Sequence, residues 1–273
     1  MARIIAISNQ KGGVGKTTTA VNLAASLAVA GVPTLLIDLD PQGNASSGLG
    51  RPRDTPGLSV YDALIGRVFL EDCLLPTDVQ HLMLVPSTPD LTGAEIELVA
   101  LERREHRFSE ALAPIADQFS VILIDCAPSL GLLTINALTA AESVLIPLQC
   151  EYYALEGISQ LMRTIDLVKA KLNPSLEVEG VLLTMFDPRN NLAHQVADEA
   201  KKVLGRKVFK TVIPRNVRLS ESPSHGKPVI LYDEASRGAQ AYVELGDELI
   251  RRWRKSRQIS AAPKRKPAGE EGA

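Results

Sequence analysis

Residues 3–20 read RIIAISNQKGGVGKTTTA, and this stretch decides the architecture. An apolar, β-branched run, Arg3–Ser8, passes directly into a glycine-rich segment and then into a helical pattern that starts at Lys16. Glycines at 12, 13 and 15 (Gly12, Gly13, Gly15) let successive backbone N–H groups converge on phosphate oxygens, and the N-terminus of the following helix adds partial positive charge. In a loop of this kind the Lys16 ammonium reaches the β- and γ-phosphates and the Thr17 hydroxyl coordinates Mg²⁺, with Val14 and Thr18 completing the nucleotide-facing set. One departure matters. The general spacing G-x-x-x-x-G-K-[ST] puts a glycine at position 10, whereas this chain has Gln10 followed by a second lysine, Lys11.

Outward from the loop, short apolar runs alternate with longer amphipathic ones. Thr34–Asp38, Leu82–Pro86, Val121–Asp125, Ser143–Leu148, Val178–Met185 and Val208–Ile213 read as strands, apolar on both faces as a parallel sheet covered by helices on each side requires. Lys16–Ala30, Ala94–Arg107, Gly157–Leu172, Asn191–Leu204 and Ala239–Arg254 read as helices. The order predicts an α/β, doubly wound, mostly parallel sheet with helices on both faces: one domain over residues 1–255, then a disordered basic tail over 256–273.

Composition narrows the function classes. A chain of 273 residues with 45% hydrophobic and 23% charged residues is neither collagen-like nor wholly disordered, and is long enough to bury a large core. Cys73, Cys126 and Cys150 form no C-x-x-C pair and leave one thiol over in any pairing scheme, so a reducing, cytoplasmic setting is expected, and Cys126 and Cys150 read as small buried residues. The N-terminus lacks the long apolar run of a secretory signal, and the apolar stretch Thr17–Ile37 is interrupted by Asn22, Ser26, Gly31 and Pro33, against a membrane span. The net charge of −2 conceals two basic regions: Arg189–Arg218 carries eight Lys/Arg against Asp198 and Glu199, and Arg251–Ala273 carries eight against Glu270 and Glu271.

Two aspartates follow apolar strands, Asp40 in Ile37-Asp38-Leu39-Asp40-Pro41-Gln42-Gly43-Asn44 and Asp125 in Ile122-Leu123-Ile124-Asp125-Cys126-Ala127-Pro128. They fall at the carboxyl ends of parallel strands, where open α/β sheets bind ligands. The string KGGVGKTT with these two motifs resembles the ParA/MinD family of P-loop ATPases with a deviant Walker A box. Thr184–Asn190, Ile213–Glu221, Glu95–Glu105 and Pro223–Tyr232 are similar to segments of its chromosomal, Soj-type branch.

That resemblance implies ATP and Mg²⁺ as cofactors. It makes Lys11 a lysine that crosses to the nucleotide of a second subunit in a sandwich homodimer, and Asp40 the carboxylate that orients the attacking water and assists the metal. Asp125 becomes the Walker B metal residue, and Pro214 and Asn216 border the adenine. It implies a slow ATPase that partitions chromosomes or plasmids: the ATP dimer binds nonspecific double-stranded DNA, with Arg189 and Arg218 as its main contacts, and a ParB-like centromere-binding partner stimulates hydrolysis. Such a protein is cytoplasmic and nucleoid-associated. The alternative within the family is a MinD-like membrane-associated positioning ATPase; the apolar stripe Leu245, Leu249, Ile250 and Trp253 is expected to pack on the core instead, so no stable membrane binding is expected.

Overall fold

Strands that are apolar at every position must be covered on both faces, and the computed structural model, which describes residues 2–151 and 154–261, shows how this is done. In chain order the elements are β1 (Arg3–Ile7), α1 (Lys16–Val29), β2 (Thr34–Leu39), α2 (Asn44–Gly48), α3 (Val60–Leu64), β3 (Leu75–Pro76), β4 (Leu82–Val85), α4 (Leu91–Glu97), α5 (Arg107–Leu112), β5 (Val121–Cys126), α6 (Leu132–Ala140), β6 (Ser143–Gln149), α7 (Ala154–Lys171), β7 (Glu177–Thr184), α8 (Asn191–Leu204), α9 (Val217–Glu221), α10 (Val229–Tyr232) and α11 (Arg237–Ala261). The sheet order is β3-β4-β2-β5-β1-β6-β7, and every pairing is parallel except that of the two-residue edge strand β3.

Alternate residues of each strand enter opposite cores. Ile5, Ile7, Leu36, Leu123 and Leu145 join Leu23 and Leu27 of α1 and Tyr242, Leu245 and Leu249 of α11 on one face. Ala6, Ile37, Ile124 and Ile146 join Phe108 of α5, Leu133 of α6 and Leu161 of α7 on the other. The stripe of α11 is spent in this way: Leu245 and Leu249 are fully buried and Trp253 is 9% exposed. Among the described residues no helix is long and apolar enough to cross a membrane.

Three boundaries differ from the sequence reading. Val208–Ile213 is not a strand. It meets β7 only locally, through the Val181–Val208 bridge and the Phe209 and Ile213 N–H groups on the Val181 and Leu183 carbonyls (2.9 Å each), with a further bridge from Phe186 to Pro214 just beyond; between these contacts Glu248 of α11 takes the backbone donors. The Glu248 carboxylate accepts the N–H groups of Lys210 (3.0 Å) and Thr211 (2.9 Å), and the second of these is the donor that would have continued the ladder from Phe209. Ala94–Arg107 is not one helix. The chain leaves helical geometry after Ala100, Arg103 takes a left-handed φ of 50°, and α5 starts afresh. Buried Asn136 of α6 fixes that break, donating to the Arg104 carbonyl (2.8 Å) and accepting the Phe108 N–H (3.0 Å). Lastly, α11 runs to Ala261, so the first six positions of the expected tail are helical; residues 262–273, including Lys264, Arg265 and Lys266, lie outside the described residues.

Glu248 is 8% exposed and also receives the Thr211 hydroxyl and Arg252. Burial opposes its ionisation, but the hydrogen bonds outweigh this and hold its pKa below the usual carboxylate range. Glu248→Ala leaves two backbone donors and a guanidinium without their acceptor, and is expected to cost about 2–4 kcal/mol in urea unfolding; a change under about 0.5 kcal/mol would remove Glu248 from the account of this edge.

Candidate functional site

Parallel register assembles the site before any loop contributes. β5 lies between β2 and β1, and Asp38 of β2 pairs in register with Asp125 of β5, which pairs in turn with Ile7 at the end of β1. The two carboxylates thus leave the sheet side by side, at the level where the chain turns into the glycine loop. Both are fully buried. Asp38 accepts the Ser46 N–H and hydroxyl, each at 2.7 Å, and the Asp40 N–H at 3.2 Å. Neither oxygen of Asp125 has a hydrogen-bond partner, although the Thr17 hydroxyl stands near enough to favour its charged form.

A buried, unpartnered carboxylate is costly unless a cation completes it. Burial, opposed by the bonds from Ser46 and Asp40, pushes the Asp38 pKa up to about 6. Burial and then the neighbouring Asp38 push that of Asp125 well above its ordinary value. Lys16 is the cation present: it is 6% exposed, and burial lowers its pKa while Asp125 and Asp40 pull the other way. Its Nζ donates to the Lys11 carbonyl at 3.0 Å. Asp40, 6% exposed, accepts the Gln42 N–H at 2.9 Å and sits on the Lys16 side of the cluster.

The loop's shape needs its glycines at two places. Gly13 (φ 74°) and Gly15 (φ 88°) are left-handed, a conformation that side chains with a Cβ rarely adopt. Gly15 precedes the first turn of α1, so the free N–H groups of that helix open toward the same end of the sheet as the carboxylates. Thr184, ending β7, donates its hydroxyl to the Val14 carbonyl at 2.8 Å, and Asn9 donates its side-chain amide to the Pro147 carbonyl of β6 at 2.7 Å. A cradle of backbone donors, a buried ammonium, a threonine hydroxyl and a carboxylate pair of which one member, Asp125, lacks a hydrogen-bond partner fits a nucleoside polyphosphate with a divalent cation.

The structure brings Lys16, Thr17, Asp40 and Asp125 together and places Gly12, Gly13, Val14, Gly15 and Thr18 around them. Pro214 and Asn216 lie farther along the same end: Thr184 bonds to the loop, Phe186 bridges to Pro214, and Asn216 caps α9 through its Oδ1. Arg189 and Arg218 stand outside the cluster, each engaged by carboxylates. Arg189 forms a fork with Asp187 (3.0 and 2.9 Å), and Arg218 contacts Glu221 (2.9 Å) and Asp233 (3.1 Å). Cys73, Cys126 and Cys150 are buried free thiols; burial raises the first to about 12 and the last to about 11, so they are inert. Sequence reading passed over Asp38, Ser46 and Thr184. Asp38 alone carried a signal, standing two residues before Asp40 at the same strand end.

Residues 2–178 match a protein family described as an AAA domain. Chromosome partitioning protein ParA of Myxococcus xanthus (strain DK1622) is 61% identical over 252 residues, covering 92% of this chain and 89% of that protein. Sporulation initiation inhibitor protein Soj of Bacillus subtilis (strain 168) is 58% identical over 249 residues, 91% of this chain and 98% of that one. The chain belongs to the ParA/MinD family, on its Soj-type branch. A solved structure described as cobyrinic acid a,c-diamide synthase from Mycobacterium smegmatis, with bound ADP and magnesium, is similar to this Soj-type chain with a TM-score of 0.83 at 38% identity, over 98% of this chain and 100% of that one. The cell division ATPase MinD of Pyrococcus furiosus follows at 0.76 and 29%, over 92% and 99%. This Soj-type protein is a partition ATPase that uses ATP and Mg²⁺.

An acid whose folded-state pKa lies above its unfolded value binds its proton more tightly when folded, so its contribution to stability is lost as pH rises. For Asp38 that window runs from about 4 to about 6, and for Asp125 it extends upward. Metal-free Asp125→Asn should therefore gain stability over the wild type as pH is raised from 5 to 7.5, with a melting point roughly 2–6 °C higher at pH 7.5. Parallel pH profiles for the two proteins in calorimetry would contradict a strained carboxylate pair.

Proposed function

We propose that this ATPase works as an ATP-dependent sandwich homodimer on nonspecific double-stranded DNA, released when hydrolysis is stimulated by a ParB-like partner, and that it acts in the cytoplasm on the nucleoid to move or position DNA cargo. The observation that carries the reading is the opposed placement of the loop's two lysines. Lys16 is buried toward Asp125 and Asp40, whereas the Lys11 side chain is 43% exposed on the loop's outer side. A cation presented outward is suited to a nucleotide carried by a second copy, and two nucleotides held face to face need the added positive charge.

In this mechanism Lys16 and the N–H groups of residues 12–18 hold the β- and γ-phosphates, and Pro214 and Asn216 border the base. Thr17, Asp40 and Asp125 hold the metal, which when bound neutralises charge on the phosphate oxygens. Asp40 orients the attacking water. Residues 1–255 form the ATPase unit, with the remainder of the chain a basic extension. DNA phosphates engage Arg189 and Arg218 by displacing Asp187, Glu221 and Asp233, so each contact is an exchange between anions rather than a new ion pair. Dimerisation doubles the number of such contacts, and the affinity for DNA changes by about 0.9 in log K per phosphate per decade of salt.

The MinD-like alternative would need an apolar face free to enter lipid, and the α11 stripe is already buried against α1. A metabolite-dependent reading, prompted by the name of the 38%-identical synthase, is outweighed by identities of 61% and 52%, over 92% and 95% of this chain, to two proteins named chromosome partitioning protein ParA.

Equilibrium nucleotide titration should find ATP binding abolished in Lys16→Ala, and unchanged binding would sink the phosphate-loop assignment. With ATP and Mg²⁺, Asp40→Ala should accumulate as a DNA-bound dimer in sedimentation; a rapidly hydrolysing variant removes Asp40 from the water. Arg218→Glu should weaken DNA binding and lower the slope of log K against log salt by roughly 2 per dimer, and wild-type binding at both 50 and 200 mM salt would discard this patch.

A further inference from the structure

Lys11, turned outward from the loop, is paired with a carboxylate of its own chain. Its Nζ lies 2.6 Å from Oε2 of Glu151, a residue 140 positions away and two past the end of β6. The other Glu151 oxygen accepts the side-chain amide of Gln149, the last residue of β6, so the carboxylate is held from both sides. The Lys11 backbone is fixed as well, its N–H on the Asn9 side-chain oxygen and its carbonyl on the Lys16 ammonium, each at 3.0 Å. Asn9 in turn is tied to Pro147 of β6. Loop and strand exit thus form one hydrogen-bonded unit whose outermost member is the Lys11–Glu151 pair.

Both partners are half exposed, 43% and 50%, at the carboxyl end of the sheet where the nucleotide site opens. A lysine folded back onto its own chain does not extend toward a second copy. We propose that Glu151 is a positioning residue for Lys11: it parks the ammonium on the β6 exit, and ATP-driven pairing of two copies exchanges this carboxylate for a phosphate oxygen of the partner's nucleotide. The inference rests on the reading of Lys11 as the lysine that crosses the dimer, and extends it by naming what restrains that lysine beforehand.

The exchange is balanced in charge, an ammonium leaving one anion for another. An exposed ion pair is weak, so Glu151 restrains pairing without preventing it. A phosphate with more than one negative charge, joined by a second cation across the interface, outcompetes a single carboxylate. Without nucleotide the carboxylate has no competitor. The latch therefore raises the threshold for pairing without a bound nucleoside triphosphate while leaving the buried phosphate site intact.

The test measures the monomer–dimer constant by sedimentation equilibrium with Mg²⁺ and a nonhydrolysable ATP analogue, for wild type, Glu151→Gln, Glu151→Asp, Lys11→Ala and the Lys11→Ala/Glu151→Gln double variant. Two latches open per dimer, so Glu151→Gln should tighten dimerisation by roughly three- to tenfold at low salt, an effect shrinking as salt rises. Glu151→Asp, which keeps the charge, should fall between it and wild type. Nucleotide affinity of the isolated chain, measured at concentrations below pairing, should not move, and in the Lys11→Ala background the Glu151 substitution should do nothing. Should Lys11→Ala dimerise like wild type, the reading of Lys11 itself fails. If Lys11→Ala is impaired as expected but Glu151→Gln dimerises no better than wild type, or worse, the latch is overturned and Glu151 belongs to the interface instead.

Discussion

Two carboxylates held side by side in a space closed to water are the constraint on which the rest of this end of the molecule is built. Parallel register leaves no choice in the matter: once β2 and β5 pair with Asp38 opposite Asp125, both side chains leave the sheet together. The surroundings then answer the two charges unequally. Ser46 and the Asp40 N–H satisfy Asp38, whereas Asp125 faces Lys16 and the Thr17 hydroxyl without a completed hydrogen bond. One carboxylate is thus anchored and the other is kept available, an asymmetry that a metal site needs if its ligands are to be both placed and vacant.

That arrangement carries a cost until a cation completes it, and the two cores on either side of the sheet offset it. Leucines of α1 and α11 close one face and α5 to α7 the other, so the strand ends that carry the acids cannot relax by separating. The glycine loop is fastened to the same frame by side chains of neighbouring strands, Thr184 from β7 and Asn9 through the β6 carbonyl of Pro147. Preorganisation of this kind places the expense in folding rather than in binding.

Much of this was legible from residues 3–18 and the two aspartate motifs, because a glycine loop between strand and helix and an acid at a strand end are local signals. What was missed depended on partners distant in sequence. Val208–Ile213 has strand composition, yet the Glu248 carboxylate, 37 and 38 residues away, takes two of its backbone donors. Ala94–Arg107 has helical periodicity, and one buried amide on α6, Asn136, is enough to hold it open in the middle. Asp38 stands two residues before Asp40 at the same strand end, but nothing local pairs it with Asp125; the register does. Local propensity proposes, and a single well-placed polar group from elsewhere can overrule it.

Charge shows the same dependence on placement. The sequence shows two basic regions, and the arginines singled out in the internal one are engaged by Asp187, Glu221 and Asp233, as the outward lysine of the loop is by Glu151. A net charge of −2 is therefore not a sum of separate acidic and basic territories; at these positions it is cancellation within contact distance. Such pairs cost little to hold in water and little to break, since exposed ion pairs contribute at most about 1 kcal/mol. A multivalent anion gathers several of these cations at once and displaces their monovalent partners together, gaining from each exchange only a small increment. Cations neutralised in this way discriminate by valence: an isolated anion finds each one already satisfied, whereas an anion that displaces several carboxylates in a single encounter sums the small gains.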